Sequence, residues 1–214
     1  MTFGATGGFA APAGWALQNA TPTEQSERAT ASSKTGNVTD SELYDKRKSW
    51  TCTFKAKVDY SKVAPTIPTE IGAIVDNILL TSIQINTTDT DFATMVLSGH
   101  EHIDGTDGTT MRKIAHNIML TKGFGANAFG CTGGTNVESG SCSISCDHAE
   151  TKNENGDTAQ GENYNPRIEV NVTMNGSGAA APAAYDETSV DTPTENAGFV
   201  KSSVSAIKDL AFTE

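Results

Sequence analysis

Compared with itself at an offset of 120 residues, the chain aligns two segments without a gap, Gly36–Thr53 and Gly156–Thr173. Gly36/Gly156, Glu42/Glu162, Tyr44/Tyr164, Arg47/Arg167 and Thr53/Thr173 are identical, five of 18 positions where unrelated sequences would share roughly one. Asn37/Asp157 and Asp45/Asn165 are near-equivalents, and the alternation Trp50, Cys52, Phe54 recurs in phase as Val170, Val172, Met174. A side-chain period of two belongs to a strand with one buried face, so each copy reads as a turn followed by a strand. The repeated Glu, Tyr and Arg are expected to supply an ion pair and an aromatic brace at the turn. A Pro-Thr-Glu triplet follows each copy (Pro68–Glu70, Pro193–Glu195), then an apolar segment, Ile78–Ile85 or Phe199–Leu210, which extends the repeat toward a half-domain. Pro22–Glu24 carries the same triplet, so that extension rests on the apolar segments.

Period two also governs the rest of the regular structure. Lys48–Val58, Ile78–Asn86 and Phe92–His100 read as strands, and the polar run Asn86–Asp91 joins the last two as a β-hairpin over 78–100. Thr69–Asn77 is expected to form one short helix, capped by Thr69 with Ile71, Ile74 and Val75 on one face. Residues 103–141 form a Gly-rich excursion with one regular element, Met111–Leu120, and two aromatic plugs in Gly123–Gly134. The expected fold is mainly β: a β-sandwich or half-barrel with an internal turn-strand repeat, one short helix and long loops. Its parts are an extended N-terminal arm over 1–25, a first β unit over 26–102, the loop excursion over 103–150, and a second β unit over 151–214 packed with the first as one domain. The arm holds Phe3, Phe9 and Trp15 as apolar anchors for a neighbouring subunit. Deleting residues 2–20 should therefore spare the fold and abolish assembly.

Charge and composition remove several functions. The 15 Lys+Arg stand against 26 Asp+Glu, and a net charge of −11 opposes adhesion to nucleic acid or anionic lipid. The apolar runs Ile71–Val75 and Ile78–Leu80 are far short of the roughly 18 to 20 residues of a membrane helix. The N-terminus lacks the basic and apolar regions of a signal peptide, so the five Asn-x-Ser/Thr sequons, such as Asn37–Thr39 and Asn171–Thr173, are read as products of composition.

Chemistry-bearing patterns are sparse. His100-Glu-His102 would need His116 or Asp104 to complete a metal site, and its spacing also arises at any strand end. Cys142-x3-Cys146-x-His148 with Cys131 upstream has zinc-type residues without a recognised zinc spacing, leaving a disulfide, a metal site or buried thiols open. Asp104–Gly108 lacks the acidic positions of a calcium loop, and the glycines of 123–130 precede no Lys-Ser/Thr. No nucleophile elbow or spaced triad occurs. No catalytic, cofactor-binding or metal-ligating residue is assigned and no cofactor is expected; the chain reads as a structural protein that assembles with copies of itself, not an enzyme.

The acidic balance, the Gly/Ala-rich start, the hairpin Ile78–His100 and the segments Gly36-Asn-Val, Tyr44-Asp-Lys-Arg47, Thr51-Cys-Thr-Phe54 and Gly99-His-Glu-His102 together resemble bacteriophage virion proteins, most nearly tail-tube subunits. The resemblance covers about half of the chain, and 103–150 has no counterpart in it. It implies sheets joined edge to edge into a ring, a hexamer or a trimer of duplicated domains, with rings stacked around a channel through which DNA passes without specific binding. It further implies contacts with other virion proteins, none with membrane, and a virion component made in the host bacterial cytoplasm. A capsid decoration protein, or a metal- or carbohydrate-binding β-sandwich module using Trp50, Tyr44 or the His100/His102 pair, fits the same composition.

Overall fold

A computed structural model of the 214-residue chain describes residues 8–57, 66–72, 74–75, 78–102, 114–116, 129–134, 136–152, 158–192 and 200–212, with 42–47, 74–75, 102, 115, 152 and 158–159 described by their backbone alone. Strands follow in the order β1 (Trp15–Ser32), β2 (Val38–Ala56), β3 (Glu70–Ile71), β4 (Ile74–Val75), β5 (Ile78–Thr88), β6 (Thr94–His102), β7 (Ile114–Ala115), β8 (Asn136–Lys152), β9 (Thr158–Asn175), β10 (Glu187–Asp191) and β11 (Lys201–Asp209). The fold is mainly β, with no helix among the described residues. One antiparallel sheet runs β1-β2-β6-β5-β8-β9-β11-β10, β4 adds to β5, and β3 pairs with β7 apart from it.

The sheet is a duplication far more complete than the 18-residue match. β1 pairs with β2, and β8 with β9, in the same register. Leu17↔Phe54 corresponds to Val137↔Met174, Ala20↔Cys52 to Gly140↔Val172, and Ala31↔Asp40 to Thr151↔Gln160. All three irregularities recur in place, between Leu17/Asn19 and Val137/Ser139, Gln25/Glu27 and Ser145/Asp147, and Ala31/Ser32 and Thr151/Lys152. A bulge inserts a residue and bends a strand locally, so its repetition at three equivalent points marks one architecture used twice. β6 then joins β2 over Arg47↔His102 to Lys55↔Thr94, and β11 joins β9 over Arg167↔Asp209 to Asn175↔Lys201. β5 flanks β6 as β10 flanks β11. The sheet is thus two four-stranded units, β1-β2-β6-β5 and β8-β9-β11-β10, joined where β5 pairs with β8.

Alternate residues of both units form one core. Trp50, Cys52 and Phe54 of β2, Met95 and Leu97 of β6, Ile83 and Ile85 of β5, Cys142 and Ile144 of β8, Ile168, Val170 and Val172 of β9, and Val204 and Ala206 of β11 are all buried in it. Phe9, Ile71, Ile114 and Phe129, from segments outside the main sheet, belong to the same cluster. One long sheet carries this core, with these segments and the partly buried Ala179, Ala181 and Tyr185 packed against it.

Several expectations change. Thr69–Asn77 holds no helix in its described part. Gly72 at φ +75° turns the chain between Glu70–Ile71 and Ile74–Val75, and these pairs, with β-branched Ile71, Ile74 and Val75, add to β7 and β5. The stretch read as an arm enters β1 at Trp15, while Phe9 and Trp15 dock on the chain's own core, Trp15 Nε1 donating to Thr66 O at 2.8 Å. The loop excursion ends before Asn136, because the Ser/Cys alternation of 139–146 is a strand with small residues on its outer positions. Within Met111–Leu120 the described part is strand β7 and His116. The hairpin 78–100 forms as expected. The segment equivalent to Phe199–Leu210, however, is β6 and not Ile78–Ile85, since β6 and β11 each lie beside the repeated strand.

Candidate functional site

Two features distinguish this sheet from a simple core-bearing scaffold. The first is its pair of free edges. Among the described residues, β1 and β10 each have one partner strand, and all five residues of β10 are exposed, Val190 at 46%. The direction of the free backbone groups follows from the ladders. Ala56 N donates to Ala93 O and Lys57 N to Gly14 O, so alternation turns Trp50 toward β6, and its β1 partner Pro22 has its ring nitrogen at the outer edge. Proline without an N–H costs β1 nothing there. The same alternation, started from Gly176 N donating to Val200 O, turns the N–H and C=O of Thr188 and Val190 to the open side. Past Gln25↔Arg47 the β1–β2 pair continues as a ribbon beyond the sheet. Its outer strand extends from Glu27 to Ser32, about 20 Å, and is exposed throughout. β8–β9 also continues past Ser145↔Arg167, but at its base His148, Glu150 and Asn163 are turned inward and largely buried.

At the base of the second ribbon Asn165 takes φ +47° in the bulge, and its Nδ2 donates to Asp147 Oδ2 at 3.0 Å. This left-handed geometry suits asparagine and is the local reason that the bulge sits there. The expected Glu–Tyr–Arg brace is not what forms in this copy. Arg167 Nε lies 3.2 Å from Glu169 Oε1, two residues along its own strand, and Tyr164 is 43% exposed. The side chains of Glu42, Tyr44 and Arg47 lie outside the described residues.

The second feature is a buried cluster at the junction of the units. His100 of β6 meets His148 and Glu150 of β8 beside Leu79, with which His100 pairs at the start of β5. Glu150 Oε1 is 3.2 Å from His148 Nε2 and 3.5 Å from His100 Nε2, and the side chains are 4%, 8% and 13% exposed. The two rings are 5.0 Å apart at 49°. Behind them, His148 Nδ1 is 2.8 Å from Oδ1 of the fully buried Asn163 on β9.

One residue from each weak metal pattern thus enters the cluster, and Glu150, which no pattern included, completes it. The side chains of His102 and Asp104 lie outside the described residues. His116, after β7, is not in the cluster; burial lowers its imidazole pKa below the usual value. The signal available in sequence was the His148-x-Glu150 alternation along one strand; its pairing with a histidine 48 positions earlier depends on topology. Cys52, Cys131, Cys142 and Cys146 are free, buried thiols and not a disulfide pair. Burial pushes Cys131 and Cys146 up to about 11 and Cys142 up to about 12, and Cys146 Sγ donates to Thr81 O at 3.7 Å.

No protein-family model and no curated protein matches this chain. Fold and edges define an antiparallel β protein of two tandem, topologically equivalent four-stranded units.

Proposed function

We propose that the protein is a self-assembling structural subunit of the phage tail-tube kind, whose copies join sheet to sheet into a ring and whose rings stack around a channel for DNA. The observation that carries this is the β5–β8 junction. β10 occupies in the second unit the place of β5 in the first, and β1 that of β8, and both are free edges. A contact already made inside the chain can therefore be repeated between chains, β10 of one copy accepting β1 of the next. This heterologous, head-to-tail contact closes a ring when its rotation allows.

The internal register specifies the external one. Ile83↔Ile144 carries over to Val190↔Glu24, and Ser82↔Ser145 to Ser189↔Gln25. Val190 and Glu24 direct their backbone groups to the free sides, as a hydrogen-bonded pair requires. Pro22 falls opposite Thr192, one residue past the end of β10, so its missing N–H lies outside the shared ladder. The β1–β2 ribbon extends beyond the sheet, where it reaches an adjacent ring. The net charge of −11 favours passage of a polyanion without adhesion.

Negative-stain microscopy and solution mass of the concentrated protein test this, with Val190→Pro and Glu24→Pro as variants. Each removes an outward N–H and leaves the internal ladder intact. Uniform rings or tubes from the parent, lost in both variants, are expected, together with a Ser189→Cys/Gln25→Cys cross-link between chains. A monomer at all concentrations would sink the structural-subunit reading. Rings that persist in both variants would sink the edge assignment alone.

A further inference from the structure

We infer that His100, His148 and Glu150 form a binding site for one divalent transition-metal ion of the zinc class, pinning the two units together at their junction. Zinc bound by imidazole nitrogen and carboxylate oxygen at about 2.0–2.2 Å in tetrahedral geometry sets its donors roughly 3.3–3.6 Å apart. Glu150 Oε1 already stands at 3.2 and 3.5 Å from the two Nε2 atoms, and the three donors lie within 4.8 Å of one another. An ion therefore fits with small movements of side chains, and its fourth position is left for water.

The buried Asn163 supplies an independent argument. With its amide oxygen 2.8 Å from His148 Nδ1, the neutral ring carries its proton on that nitrogen, and Nε2 presents a lone pair toward Glu150. Two acceptors at 3.2 Å need a proton or a cation between them. With protons alone, one carboxylate oxygen would have to serve two rings whose centroids are 5.0 Å apart. A single metal ion satisfies both nitrogens and the carboxylate, with Asn163 as the outer partner that orients the histidine.

The site belongs to the junction and not to the duplicated unit. The places of His148 and Glu150 are held in β1 by Arg28 and Thr30, and that of His100 in β11 by Ile207. The metal would bridge β6 and β8 across β5 within each chain and leave the contact between chains metal-free.

The test is titration of the purified full chain with ZnCl2, and separately with CoCl2. One equivalent of zinc should bind, and cobalt should give the intense visible absorption of a four-coordinate site without a thiolate charge-transfer band, which separates this donor set from the buried cysteines. Glu150→Gln and His100→Gln, checked for native circular dichroism, should each weaken zinc binding by more than the roughly 10- to 100-fold that loss of an outer partner causes. Absence of stoichiometric zinc binding by the parent chain, unchanged affinity in both folded variants, or a thiolate band in the cobalt spectrum would overturn the assignment. The cobalt spectrum of the parent decides the matter even if a variant does not fold.

Discussion

His148 and Asn163 face each other across β8 and β9, Nδ1 to Oδ1 at 2.8 Å, one pair along from the bulge pair Asp147↔Tyr164. Asn163 is fully buried, so its amide must be satisfied where it stands. Asn163→Leu removes the acceptor for His148 and leaves a buried donor without its partner, a loss of about 1–3 kcal/mol. Thermal unfolding should show a lowered midpoint, and zinc affinity, where measured, should fall by roughly 10- to 100-fold. An unchanged midpoint would mean that the pair does not stabilise the ribbon base.

Gly99 has no room for a side chain. It pairs with Trp50 on one side and Leu80 on the other, and a Cβ there would meet the Leu79 carbonyl oxygen, with the Phe9 ring and an Ile78 methyl at 2.8 Å. Ala206 occupies the equivalent place in β11 and is buried. Gly99→Ala should therefore cost about 1–3 kcal/mol through overpacking, while Ala206→Gly should cost roughly 0.5–1 kcal/mol through backbone freedom. Denaturant midpoints of the two variants check the order, and the reverse order would contradict the packing of Phe9 against β6.

How far the sequence disclosed this fold depends on the range of the signal. Trp50, Cys52 and Phe54 alternate within one strand, so β2 was legible, as was the hairpin of β5 and β6. The repeat was visible only where Glu, Tyr and Arg stayed identical. In the preceding strands Leu17/Val137, Ala20/Gly140 and Glu27/Asp147 keep character and not identity, and their equivalence emerges from the ladder. β8 was hidden because Ser139 to Ser145 alternates small residues, which carry little hydrophobic contrast. The His100–His148–Glu150 cluster was illegible for a topological reason: β6 and β8 come together only because β5 lies between them.

The thiols predict a pH effect with a definite sign. Cys131, Cys142 and Cys146 have folded pKa values of about 11, 12 and 11 against an ordinary 9.0, because burial disfavours the thiolate. Between pH 9 and about 11–12 the unfolded chain loses protons that the folded chain keeps, so stability falls as pH rises through that window. Urea midpoints should decline from pH 9 upward, and replacement of Cys142 by Ala should flatten the slope. At pH 7 the native thiols should react with maleimide far more slowly than in denaturant.

The N-terminal segment gives the sharpest contrast with the reading of residues 1–25 as an arm for a neighbour. Trp15 is buried, donates through Nε1 to Thr66 O at 2.8 Å, and starts the strand that covers β2. Phe9 lies in the same cluster, beside Gly99. Deletion of 2–20 therefore strips two aromatic side chains and the first turns of β1 from the core itself, so the expected result is loss of the fold, not a folded protein that fails to assemble. Trp15→Ala alone should cost about 3–5 kcal/mol. A native circular dichroism spectrum and an unchanged midpoint after deletion of 2–20 would return Phe9 and Trp15 to the role of anchors for another subunit.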